Sequence, residues 1–220
     1  MNLFPLWNSL RIAVFASLII FFFGIFLAYF VKKCPKVVKA ILDVFLMLPL
    51  VLPPTVCGYL LILIFGANHP VGQFLQTFGV SFFMDWKGGV IASAVVAFPL
   101  MYRTARGAFE AFNEDLANAG KTLGLSNHYI FWRIRIPNCK NGIIAGCVLS
   151  FARALGEYGA TSMLIGYIPN KTATISTTVA QAWSNNDTVT AVVWVIINIA
   201  ISALVLVFVN LIEGKKGVAK

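Results

Sequence analysis

Long runs without charge, separated by short polar clusters, set the organisation of the chain. Residues 12–31 hold twenty positions free of Lys, Arg, Asp and Glu, enough helix to cross the ~30 Å of hydrocarbon in a bilayer. The run is too long for a signal-peptide core. Lys32, Lys33 and Pro35 follow it instead of a small-x-small cleavage site, so it reads as a retained span. Residues 44–84 are uncharged over 41 positions. Of these, 44–65 reads as a second span interrupted by Pro49, Pro53, Pro54 and Gly58. The segment 66–86, with Asn68, His69, Pro70, Gly72 and Gly79, reads as an external loop with a short surface helix. A third run, 88–102, is short at fifteen residues, and Arg103 and Arg106 are placed to snorkel and lengthen it. A fourth covers 141–165 and contains Arg153 and Glu157; a fifth, 188–212, has 25 uncharged residues. With their flanks the predicted spans are 9–31, 40–65, 88–107, 141–165 and 188–212. Ile175, Val179, Ala182 and Trp183 share one face of 172–183, a candidate sixth, half-inserted helix. The pattern predicts an all-α, polytopic membrane protein of five or six transmembrane helices, a single domain over 1–220.

Composition removes the soluble alternative. The chain is 59% hydrophobic and 11% charged, with a mean hydropathy of +0.84, against about 25% charged residues in a soluble domain. The net charge of +9, from 17 Lys+Arg against 8 Asp+Glu, would point a soluble chain towards nucleic acid; here it reports topology. With the N-terminus outside and five crossings, 13 of the 17 basic residues fall inside: four in 32–39, six in 103–140 and three in the tail. Arg11, Lys87 and Lys171 fall outside and Arg153 lies within a span. The positive-inside rule therefore predicts an external N-terminus, a cytoplasmic C-terminus and membrane lipid rather than nucleic acid as surroundings. Cys34, Cys57, Cys139 and Cys147 form no CxxC and have no His at ligand spacing, so no metal site is expected and the thiols read as small hydrophobes.

The internal segment 113–137 carries helix punctuation. Asn113 is a suitable N-cap with Glu114 and Asp115 in the first turn, Lys121 lies in the last turn, and Gly124 stands where a left-handed residue ends a helix. Ser126 can cap a second helix that is expected to end before Pro137, with Arg133 and Arg135 near its end. Leu123, Leu125, Tyr129 and Ile130 are expected to form an apolar knob near the turn. Such a pair can lie on the lipid surface or dock into a groove of a cytoplasmic partner. A DNA-reading role is excluded because membrane spans frame the two helices too closely to reach a major groove.

Within this segment Asn118-Ala119-Gly120 is followed at fixed spacing by Gly124 and by Ile134-Arg135-Ile136-Pro137. The spacing resembles the motif of permease subunits of binding-protein-dependent ABC importers: Glu-Ala-Ala, three residues, Gly, nine residues, Ile-x-Leu-Pro. Asn118 stands for Glu, Gly120 for the second Ala and Ile136 for Leu. The block from Ser150 to Thr161, Ser-Phe-Ala-Arg-Ala-Leu-Gly-Glu-Tyr-Gly-Ala-Thr, resembles that of molybdate, tungstate and sulfate permeases. Gly166-x-Ile168-Pro169-x-Lys171-Thr172 is similar to the molybdate branch, and the resemblance runs over essentially the whole chain.

The resemblance implies a type I ABC importer permease fold in a prokaryotic cytoplasmic membrane. It also implies a second copy of this chain, two cytoplasmic ATPase subunits that bind ATP and Mg, and an external oxyanion-binding protein. It places ATPase contacts at Leu123, Gly124, Leu125 and Ser126, flanked by Asn118 and His128, with Ala119, Gly120, Ile134 and Pro137 framing the motif; His128 can equally be a plain surface histidine. Gly120-Lys121-Thr122 has the form of a P-loop ending, but Asp115 occupies the position of the required first Gly and no strand precedes it, so ATP belongs to another chain. This chain is thus expected to be non-catalytic and cofactor-free.

Arg153 and Glu157, at i and i+4, can pair and lower the cost of burying charge, Arg153 lying ~18 Å along the helix from Asn141. Two readings stand: a pore-facing pathway element, with Thr161, that steers the anion or links the two copies, or a structural ion pair tying this span to the 113–137 segment. Thr172, Thr174, Ser176, Thr177 and Thr178 offer hydroxyls near the outer mouth, although such side chains commonly bond their own backbone. Gly142 and Gly146 form a small-xxx-small pair for close helix packing. Alternatives for the whole chain are a sulfate or thiosulfate permease and a self-sufficient secondary transporter, which would show internal repeats that are absent here.

Overall fold

The computed structural model describes residues 2–214, and the side-chain surroundings of residues 2–207. The helices are α1 (Phe4–Lys32), α2 (Lys36–Val51), α3 (Pro54–Phe65), α4 (Pro70–Thr77), α5 (Trp86–Glu110), α6 (Glu114–Thr122), α7 (Asn127–Ile130), α8 (Ile136–Leu155), α9 (Gly159–Ile165), α10 (Ile175–Ser184) and α11 (Thr188–Gly214), with a π-helical turn at Phe131–Arg135 joining α7 to α8. Among the described residues α1, α5 and Thr188–Val207 of α11 are each long and apolar enough to cross a membrane alone.

Two expected spans are bent pairs. α2 and α3 meet at 111°, with the break at Leu52 and Pro53. Pro53 and Pro54 together remove two successive backbone donors, so the ladder stops there, whereas Pro49 alone is carried inside α2. The run from Asn127 through α8 meets α9 at 54°, with Gly156, Glu157 and Tyr158 unwound between them. The interruption expected in the second span falls at Pro53 and Pro54, whereas 141–165, expected without a break, is bent at 156–158. The candidate sixth segment is a helix of ten residues, α10, about 15 Å long and thus too short to cross alone.

α5 is the central helix, packed on α1 along one side and α8 along another. The contact surfaces are built from small residues: Ala13, Ala16 and Ala28 on α1, and Ala92, Ala97 and Ala105 on α5, are all fully buried. In lipid, close van der Waals approach is what drives helices together, and it requires small side chains. A Cβ at Gly146 would lie 2.1 Å from Thr104 Oγ1, and one at Gly142 would lie 2.6 Å from Ala108 Cβ, so the glycine pair does seat α8 against α5. Gly146→Val should therefore force the two helices apart, at a cost of about 1–3 kcal/mol or more. The check is a lowered melting temperature and loss of the monodisperse peak in detergent; Gly107→Ala, with nothing within 4 Å, is the silent control. Large side chains point outward instead. Phe22, Phe23 and Phe26 of α1 and Val189, Ile196 and Ile199 of α11 are exposed, as a lipid-facing surface requires.

Contacts sort the helix ends into two groups. At one end Lys32, Lys39, Arg106, Glu110, Glu114 and Arg135 form ion pairs. At the other, Asn8 Nδ2 donates to the Thr172 and Ala173 carbonyls at 3.1 and 3.0 Å, and the Ile175 N–H donates to Ser9 Oγ at 2.9 Å. Arg11 stacks 3.9 Å over Trp86 at that same end. The three tail lysines, 215, 216 and 220, and the predicted position of the C-terminus lie outside the described residues.

Candidate functional site

The polar end is organised around α6. Asn113 caps it through a bond accepted from the Asp115 N–H at 2.9 Å. Its far end closes in a Schellman arrangement: the Gly124 N–H donates to Lys121 O at 2.9 Å and the Leu125 N–H to Gly120 O at 3.0 Å. Gly124 has φ +76, a conformation that glycine adopts without a Cβ penalty. Ser126 then caps α7, accepting from the Tyr129 N–H at 3.2 Å. Both caps and the glycine stop stand where the sequence placed them.

The expected knob is divided by the fold. Leu123 is 79% exposed and Tyr129 is exposed too, whereas Leu125 is half-buried and Ile130 is in the core at 2%. Asn118, Ala119, Ser126, His128 and Pro137 are exposed, and Gly120 is buried against Ile130 and Ile134. A Cβ at Gly120 would come within 3.1 Å of Ile134 Cδ1. Gly120 and Ile134 thus hold α6 onto the π turn, while Leu123 to Ser126 form the projecting tip.

The second of these two short helices does not end before Pro137. The chain runs helically from Asn127 through the π turn into α8, with Pro137 in the first turn of α8. The wide π turn relieves the clash of the proline ring with the preceding carbonyls, and Asn138 Nδ2 donates to Ile134 O at 2.7 Å. Residues 137–141 are therefore rigid helix, the first turns of α8.

One carboxylate that the sequence marked only as a helix-dipole acid ties this end together. Glu114 accepts a bidentate pair from Arg135, Nη1 to Oε1 at 2.8 Å and Nη2 to Oε2 at 2.6 Å, and Lys32 Nζ reaches its Oε1 at 2.5 Å. Lys32 also donates to the Phe109 carbonyl at 2.5 Å. The first residue of α6 is thus bonded to the end of α1 and the root of α8, and through Lys32 to the end of α5. The Arg135 hydrogen bonds, followed by Lys32, hold the Glu114 carboxyl down to about 2, well below its ordinary 4.5. A depressed carboxylate pKa contributes stability in full above about pH 4.5, lost as pH falls towards 2. At 46% side-chain exposure the contribution is about 1 kcal/mol or less. Glu114→Gln should therefore lower the melting temperature slightly at pH 7, by about 2–4 °C at most, and the gap to wild type should close below pH 4. A gap that stays constant through that range would remove the clamp from the account.

In the spans, Arg153 Nη1 lies 2.6 Å from Glu157 Oε2, so the predicted pair forms. It does so across the break: Arg153 closes α8, while Glu157 Oε1 accepts the Ala160 N–H of α9 at 2.8 Å. The Glu157 side chain is 1% exposed and that of Arg153 31%. Thr161, grouped with them from the sequence, is buried, and its Oγ1 has no hydrogen-bond partner among the described residues. α9 packs on α3: a Cβ at Gly58 would lie 2.8 Å from Ala160 Cα, and one at Gly159 2.8 Å from Pro54 Cβ. The two breaks therefore touch. The threonines expected at the outer mouth are consumed locally, Thr174 and Thr177 in a capping box and Thr178 on Thr174 O. A second network unmarked in the sequence joins α2 to α5: Tyr102 Oη donates to Asp43 Oδ1 at 2.5 Å, and Arg106 pairs with Asp43 and Glu110. Among the described residues no group of His, Cys, Asp and Glu could hold a metal.

Comparisons with known proteins agree on one class. A family profile described as "Binding-protein-dependent transport system inner membrane component" matches residues 20–217. The molybdenum transport system permease protein ModB of Escherichia coli (strain K12) is 44% identical over 176 residues, 78% of this chain and 77% of its own. The putative molybdenum transport system permease protein YvgM of Bacillus subtilis (strain 168) is 37% identical over 207 residues, 94% of this chain and 91% of its own. The fold is similar to that of a chain in a bacterial ABC transporter involved in the import of the acidic polysaccharide alginate, with TM-score 0.79, 17% identity, and coverage of 98% of this chain and 79% of that one.

Proposed function

We propose, from the premise that the chain belongs to the family of binding-protein-dependent transport system inner membrane components, that it is the permease subunit of an ATP-driven importer of molybdate or tungstate. The observation that carries this is the 44% identity to a molybdenum permease over more than three quarters of both chains. Two copies of this chain span the cytoplasmic membrane, with the Leu123–Ser126 tips inside and the N-termini outside. Each tip seats in a groove of an ATPase subunit, which binds ATP and Mg; an external binding protein delivers the oxyanion. The chain itself performs no chemistry and holds no cofactor.

The geometry supports a lever. From Asn127 to Leu155 the chain is one helical run of about 43 Å at 1.5 Å per residue. Its inner end carries the tip and its outer end the Arg153–Glu157 joint. The Glu114 clamp prevents α6 from pivoting independently of this rod. A displacement of the tips by ATPase closure therefore reaches the joint and, through Gly58 and Gly159, the α3 break. Wide π turns inside helices recur at functional sites, and here one stands beside the point where force enters.

The test is reconstitution in vesicles with the cognate ATPase and binding protein. ATP hydrolysis should rise with anion-loaded binding protein, and comparing molybdate, tungstate and sulfate identifies the anion. Uptake undiminished when the ATPase is omitted would overturn the proposal.

A further inference from the structure

We infer that the cavity between α9 and α10 is a transient subsite for a tetrahedral oxyanion on the outer half of the path, which rests on the reading of the chain as an oxyanion permease. The cavity measures about 120 Å³, and its polar lining is Tyr158, Ser162, Tyr167, Thr177, Gln181 and Ser184. That is room for a few waters or one small anion.

Its position is the first argument. Tyr158 follows Glu157 at the span break, Ser162 lies one turn further along α9, and Gln181 and Ser184 stand on one face of α10. The cavity thus leads from the helix break towards the end where Thr172 and Ala173 meet Asn8. Outward faces elsewhere on the spans are apolar, as at Leu60, Leu63 and Ile64 of α3 and Val192, Val195 and Ile196 of α11. A polar outward face among spans is sustainable where water or a partner covers it, not hydrocarbon.

Donor chemistry is the second. Ser162 donates to Gly159 O at 3.1 Å, Ser184 to Ala180 O at 3.0 Å, and Thr177 is committed to the α10 cap. Gln181 spends one Nε2 proton on Asn185 Oδ1 at 3.1 Å and keeps another. Tyr158 and Tyr167 make no hydrogen bond through their hydroxyls among the described residues. The residues that line the cavity thus include two phenols without a hydrogen bond and an amide with a proton to spare, and no carboxylate is among them. A fully ionised tetrahedral oxyanion accepts hydrogen bonds and donates none, so it fits this set. No Lys or Arg lines the cavity, and the charge of Arg153 below it is compensated by Glu157. Binding is consequently weak, which a conducting site requires: strong enough to admit the ion, weak enough to release it.

The experiment uses the full transporter in vesicles. Tyr158→Phe with Tyr167→Phe removes two hydroxyls at nearly constant volume and touches no buried contact of the tip. Anion uptake at limiting loaded binding protein should fall at least about tenfold, the worth of the first of the two hydrogen bonds lost to an ion, while stimulation of ATP hydrolysis by that binding protein stays within about twofold. In parallel, Ser184→Cys should react with an impermeant anionic thiol reagent, and excess molybdate should slow that reaction. Unchanged uptake in the double variant, or no protection by molybdate, overturns the subsite. Failure of the permease reading is distinguishable: there, the wild-type chain shows no stimulated hydrolysis with any loaded binding protein.

Discussion

Arg153→Ala should cost the protein more than Glu157→Ala, although the two changes break the same ion pair. The Glu157 side chain is 1% exposed and sits between α8, α9 and the α3 break, so without Arg153 its carboxylate keeps only the Ala160 N–H. Leaving one member of a buried pair uncompensated costs about 3–5 kcal/mol. The reverse change leaves Arg153, 31% exposed, able to extend its head towards water. That variant loses chiefly the α9 cap, about 1 kcal/mol. Thermal melts in detergent should therefore rank wild type above Glu157→Gln, which keeps an acceptor for Ala160, then Glu157→Ala, and Arg153→Ala last. The combined Arg153→Met, Glu157→Gln protein should recover most of the lost stability, because neither ion is then left alone. Its transport separates the two readings of the pair: uptake that returns with folding makes the pair structural, and uptake that stays absent in a well-folded protein makes it part of the path. Arg153→Ala melting no lower than Glu157→Ala would contradict the burial argument.

Legibility in the sequence followed the range of the interaction. The crossings were legible because hydrocarbon excludes charge over about twenty residues at a time, and the caps at Asn113 and Ser126 and the stop at Gly124 because they depend on neighbours within four positions. The bend at 156–158 was not. Gly156 and Gly159 flank it, but a glycine pair in a span is equally a packing surface, as Gly142 and Gly146 prove to be. Only the contact of Gly159 with Pro54, across some hundred residues of chain, separates the cases. Pro137 misled for a local reason: a proline normally ends the helix before it, and the π turn that absorbs it has no sequence signature. Glu114 had a sufficient local explanation in the helix dipole, which concealed its bonds to Lys32 and Arg135, residues brought near by the packing of α1 and α8. The segment 172–178 shows the same limit. Threonines attract attention in the sequence, yet their hydroxyls close their own helix cap, and the free donors belong to Tyr158 and Tyr167.

Gly124→Val should uncouple ATP hydrolysis from transport while leaving the spans intact. A Cβ at Gly124 meets nothing within 4 Å, so the substitution is not opposed by crowding inside the chain. It is opposed by the backbone: φ is +76, and a β-branched residue held there costs about 1–3 kcal/mol. The turn relieves that cost by abandoning the left-handed conformation, and with it the bonds from the Gly124 and Leu125 N–H groups to Lys121 O and Gly120 O. Leu123 and Ser126, on either side of the turn, then leave the positions from which the proposed docking to the ATPase is made. Global stability should change little, since α6 remains held by Gly120 against Ile134 and by Glu114 at its start. Gly124→Asn supplies the control, because asparagine tolerates the left-handed region and serves as a helix stop. In reconstituted vesicles the valine protein should lose at least about tenfold in anion translocated per ATP hydrolysed, one unit of 1.4 kcal/mol in coupling free energy. The asparagine protein should stay within about threefold of wild type, the range expected when the backbone strain is a few tenths of a kcal/mol. Equal coupling in the valine, asparagine and wild-type proteins would show that the tip does not transmit force, and the lever would have to begin elsewhere on the polar end.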